Sequence, residues 1–286
     1  MADDIAAIET QILFLAKEGH DVQLHLHPHW LDATYENDKW NFTYKRFKLQ
    51  TLSGQSNAGD INTVIGCISI AKKILEDLIR QVNPNYKVTT FRAGGYLIQP
   101  FSKLKDAMLQ NGILIDTSIC PGLKNDNDIF SFDFSSYPNS TYYRFTDDPL
   151  MVADNGSFTE IPIHTVKIPA YLNIYFAILK RLKYQELNTR LKGTGSWQTT
   201  NVKPRNLTSK LKGLSEPQLR QFTTDSNFKE ILNYMFKKAG ENTTLILHPK
   251  LLNDHVINYL TQLVTNREIS FISTEQYIAL INGARD

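Results

Sequence analysis

The chain is poor in cysteine, poor in net charge, and has no long apolar run. Its two cysteines, Cys67 and Cys120, are far apart and in no metal-ligand spacing. They read as buried thiols in a reducing compartment rather than as a disulfide pair. A net charge of +2 is too small to argue for nucleic acid or a membrane surface as partner. No unbroken apolar stretch is long enough to cross a bilayer. The opening "MADDIAAIET" lacks the basic region and apolar core of a secretory signal, so a cytoplasmic location is expected. No internal repeat or low-complexity tract is present.

The composition is that of a folded domain. With 286 residues, 42% apolar and 21% charged, the chain can bury a sizeable core. Residues 5–18 carry apolar side chains at helical spacing, with Asp3 or Asp4 as N-cap and Gly19 as the stop. "DVQLHL" then reads as a strand. The alternation recurs: a long helix in 61–82 before "VTTF", a helix in 101–111 before "ILID", a helix in 228–239 before "TTLILH", and "VINYLTQLVTN" before "ISFIS". Helix and strand in alternation predict parallel strands with covering helices. "TYYRF" and "FTEIPI" read as further strands. One domain over 1–286 is expected, with loop excursions at 31–60 and 189–216.

Chemistry collects where predicted strands run out, as it does at the carboxyl ends of parallel strands. "LHLHPH" places His25, His27 and His29 within five positions. Imidazoles four apart on a strand entering a Pro-bent loop can converge on one ion. His27 points the same way if the strand stays extended, so spacing alone does not choose the pair. "FRAGGY" offers Arg92 for a carboxylate, and its glycines allow close backbone approach. "LILHPK" places His248 after an apolar strand, where it can move a proton near neutral pH. Trp30 leads the aromatic-rich segment that follows the histidines. It suits either a sugar-binding groove or a hairpin packed on a rim.

Together these segments resemble the polysaccharide deacetylase (NodB-homology) family of carbohydrate esterases. "GHDVQLHLHPH" is similar to its second motif, which makes His25 and His29 the matching metal ligands and His27 an extra. "FRAGGY" matches the Arg-containing turn at Phe91, Arg92 and Tyr96, with the prolines replaced. "GILIDTS" is similar to a later strand at Asp116 and Ser118, and "LILHP" to the last motif at His248. The variant "LHLHPHWLDA" is most similar to deacetylases encoded with bacterial O-antigen genes. The resemblance implies an incomplete, distorted (β/α) barrel and a divalent metal, zinc by preference. It implies removal of acetyl groups from a lipid- or nucleotide-linked carbohydrate, with the Tyr96 N–H on the oxyanion and His248 as the acid.

The family's first motif, a strand ending in paired aspartates, has no counterpart here. It supplies the base and the third ligand, so zinc is expected to bind weakly unless Asp116, Asp147 or Asp148 takes its place. A barrel lacking its N-terminal strand also predicts an exposed edge, with either a homodimer through it or disorder there. Two other functions stay open: a non-catalytic module binding saccharide or protein, and another metal-dependent amide hydrolase.

Overall fold

A computed structural model describes residues 2–126, 130–184, 215–225, 227–251, 254–265 and 269–283. Most of the loop expected at 189–216 lies outside the described residues. The fold is mixed α/β with a parallel-strand sheet. The residues group into two compact units: 1–119, 124–162 and 272–286 form the first, and 120–123 with 163–271 the second.

The first unit opens with α1 (Ala2–Lys17). Asp3 and Asp4 lie inside its first turn rather than before it, where their charge still suits the helix N-terminus. Gly19 leaves the helix at φ 84°, a conformation glycine adopts without strain. The chain then forms β1 (Leu24–Leu26) and a hairpin of β2 (Thr34–Glu36) and β3 (Lys39–Asn41). Next come α2 (Val64–Ile79), β4 (Thr90–Ala93), α3 (Lys105–Gln110) and β5 (Ile115–Asp116). A two-stranded piece follows, β6 (Lys124–Asn125) with β7 (Phe132–Asp133), then β8 (Tyr143–Phe145) and β9 (Phe158–Glu160). The sheet order is β1-β4-β5-β9-β8. Its first three junctions are parallel and the last is antiparallel.

Helix α2 is tied to the start of β4 by a buried carboxylate. Glu76 accepts the Val88 N–H at 2.8 Å and pairs with Arg80 and Lys72. The Gln23 side chain accepts the N–H groups of Thr89 and Thr90, both at 3.0 Å. These contacts fix where β4 begins and hence where Arg92 falls.

The second unit holds β10 (Thr165–Ile168), α4 (Ala170–Lys183), β11 (Gln218–Gln221), α5 (Lys229–Lys238) and α6 (Asp254–Thr265). β10 and β11 pair antiparallel. Val166, Ile168, Phe176, Leu179, Phe222 and Met235 belong to its core. The expected strand "TTLILH" is reduced to one parallel bridge between Ile246 and Thr223, and "ISFIS" is not assigned as strand. An alternating pattern becomes a strand only where a neighbour takes up its backbone groups. The last helix, α7 (Thr274–Gly283), belongs to the first unit.

Candidate active site

Strand β1 is paired residue for residue with β4, so His25 lies beside Arg92. The His25 Nδ1 is 2.9 Å from the Arg92 carbonyl oxygen. A ring nitrogen facing a carbonyl carries the proton, which leaves Nε2 with its lone pair outward. That Nε2 meets the His27 Nε2 at 3.0 Å. Two imidazoles on one tetrahedral zinc ion would hold their nitrogens about 3.3 Å apart, given bonds of about 2.05 Å. The pair that faces one another is therefore His25 and His27.

His29 sits in a different environment. Its ring stacks on Phe47 with centroids 5.1 Å apart and touches Phe42, Tyr44 and Trp30. Burial lowers its pKa, which favours neutral imidazole. Its Nδ1 is buried without a hydrogen-bond partner. Rings continue outward from there: Trp30 packs on Trp40, and Trp40 on Tyr35 across the hairpin. Trp30 is 52% exposed, so its face is open.

The turn after Arg92 is pressed against the histidines. A Cβ on Gly94 would lie 2.3 Å from the Leu26 carbonyl oxygen and 2.7 Å from the His27 Nδ1. Only glycine allows that approach. Gly95 and Tyr96 both adopt positive φ, which turns the chain sharply at the strand end. The Arg92 Nε donates to the Thr117 hydroxyl at 3.2 Å.

Asp116 is fully buried beneath this turn. It accepts from the Ser118 hydroxyl at 2.7 Å and the Ser118 N–H at 3.2 Å. It is paired across the sheet with Glu160 and shares a side-chain hydrogen bond with it. Burial raises the Asp116 pKa, against the lowering effect of the Glu160 and Ser118 hydrogen bonds and the Arg92 charge. Of the other carboxylates considered, Asp147 is exposed and bonded to Lys105, and Asp148 accepts the Leu150 N–H. Among the described residues, no three His, Cys, Asp or Glu side chains come together as a group that could hold a metal ion.

His248 belongs to the second unit. Its Nδ1 lies 2.6 Å from one Asp225 oxygen, and its backbone N–H donates to the other at 2.9 Å. Burial pushes the Asp225 pKa up, but the hydrogen bonds from His248 outweigh it and the net direction is down. A carboxylate on Nδ1 fixes the tautomer and leaves Nε2 to exchange a proton.

Two carboxylates here escape sequence reading. Glu160 is the last residue of β9 as Asp116 is the last of β5, and an acid after apolar residues in "FTEIPI" was the available signal. Asp225 reaches His248 across 23 positions, and no spacing marks it. Comparison of the chain with known protein families, curated proteins and solved structures found no match.

Proposed function

We propose that the chain is a carbohydrate-directed hydrolase of the deacetylase type, on an incomplete α/β barrel, acting on glycans of the surface-polysaccharide kind. The observation that carries this reading is the His25–His27 pair, facing Nε2 to Nε2 at the end of a parallel strand beside Arg92. A divalent ion bound in such an enzyme polarises the acetyl carbonyl and lowers the pKa of water. The imidazole pair supplies two nitrogen donors, one short of a catalytic zinc centre. His29, the other ligand by resemblance, lies against His27 with centroids 5.3 Å apart. The present donor set therefore fits weak zinc binding only.

The side chains keep roles of their own. Arg92 orients a carboxylate, and the backbone N–H of Tyr96 is the donor for a developing oxyanion. Asp116, buried near Arg92, takes the catalytic place only by resemblance. His248, held by Asp225, is by resemblance the group that would donate a proton to the leaving amine or alcohol. Trp30 offers a flat apolar face to a sugar ring.

The test is acetate release from acetylated oligosaccharides, with zinc affinity measured in parallel. Weak zinc binding and slow release are expected, both lost in His25→Ala, with release alone reduced roughly 10²-fold or more in His248→Ala. Release that ignores both substitutions would overturn the reading. Oligosaccharide binding without release would instead favour the non-catalytic module, which the two-donor count also suits.

A further inference from the structure

Residues 30–41 carry an exposed apolar surface made of aromatic rings alone. Trp30 stands in the short helical turn Pro28–Asp32, and the β2–β3 hairpin sets Tyr35 directly opposite Trp40. Asn37 and Asp38, the two residues between these strands, both have positive φ, as a tight two-residue hairpin turn requires. That turn fixes the register, and cross-strand partners stand about 5 Å apart at Cβ. The Tyr35 and Trp40 ring centroids are 5.1 Å apart, and Trp30 packs edge to face on Trp40 at 5.3 Å. Trp30, Tyr35 and Trp40 remain 52%, 47% and 46% exposed. No exposed Leu, Ile, Val or Met lies between residues 15 and 60, so the surface is flat rings with polar edges and nothing else apolar.

Size, charge and position select the occupant. An aromatic side chain offers about 150–250 Å², so three at half exposure offer about 300 Å², well short of the roughly 800 Å² that a stable protein interface takes from each partner. An anionic lipid surface calls for a basic flank, whereas the charges of the hairpin are Glu36, Asp38 and Lys39. A pyranose meets both limits. Its C–H face lies on a ring, and its hydroxyls meet the indole N–H groups, the Tyr35 hydroxyl and the Asp38 carboxylate, whose Oδ1 lies 3.5 Å from that hydroxyl. The rings also run on from the imidazoles, His27 to His29 at 5.3 Å and His29 to Trp30 at 6.1 Å, all within the first unit. We propose that Trp30, Trp40 and Tyr35 form a subsite for the sugar unit next to the one that reacts. The substrate is then a glycan of at least two units rather than a single sugar. The inference rests on the hydrolase reading for which unit reacts, and on the hairpin for the rest.

The experiment is equilibrium binding of the full chain, without added zinc, to N-acetylglucosamine and to its β-1,4-linked tetramer, followed by calorimetry and by tryptophan emission. The tetramer should bind roughly tenfold or more tighter, since a further ring face is covered, and should change the emission. In Trp40→Ala that ratio should fall toward one. Trp40→Phe keeps a flat ring and should recover most of the ratio with a smaller change in emission. Trp40→Leu, apolar without a flat face, should not recover it. Equal affinity for the two sugars overturns the proposal, as does a preference that survives Trp40→Ala or that Trp40→Leu restores in full. A dimer abolished by Trp40→Ala would make a second copy the occupant and overturn it as well. Acetate release enters none of these readouts. A length preference without release supports the subsite on a non-catalytic saccharide module, and release without a length preference removes the subsite and leaves the hydrolase reading.

Discussion

Asp116 shows how a single carboxyl group links the sheet to pH. Folding moves it from water to a fully buried position beside Glu160. Its folded pKa is raised above 3.8, so the folded state binds its proton more tightly than the unfolded state. The contribution of this group to stability is complete below 3.8 and is lost as pH rises through the folded pKa. Asp116→Asn keeps an acceptor for Ser118 and a donor toward Glu160 without a titrating proton. Urea unfolding at a series of pH values should show wild-type stability falling, relative to the variant, by up to about 1.4 kcal/mol per pH unit above 3.8. Parallel pH profiles of the two proteins would refute the raised pKa of Asp116.

At the scale of elements, the placement of Arg92 depends on how α2 holds β4. Glu76 is 6% exposed and receives the N–H of Val88, itself fully buried. Glu76→Ala leaves that N–H unsatisfied and removes the partner of Lys72 and Arg80. A loss of about 2–4 kcal/mol is expected in denaturant unfolding. Glu76→Gln retains an acceptor for Val88 and should recover part of it. Equal stability of the alanine variant and the wild type would show that β4 is positioned by packing alone.

For the whole molecule, strand β1 ends the five-stranded sheet, and its outer side has no strand partner among the described residues. An open parallel edge is a template for another chain. We propose a homodimer through it, seen as concentration-dependent mass in sedimentation velocity. A monomer at every concentration would refute it.

Periodicity alone determined much of the architecture, because amphipathic spacing is a local property that burial then enforces. Helices α1, α2, α5 and α6 and strands β1, β4, β5, β8 and β9 overlap the segments read from apolar spacing, and Gly19 and Gly112 turn at positive φ where helices were expected to stop. The clustering of histidines at a strand end was legible for the same reason. Which imidazoles face each other was not. That depends on the ring bond from His25 to the Arg92 carbonyl and on aromatic walls from residues 42–47 closing round His29. The Asp116–Glu160 and Asp225–His248 pairs likewise join residues 44 and 23 positions apart. Spacing cannot encode such contacts, since only the sheet and the loops that cross it bring those side chains within hydrogen-bond reach.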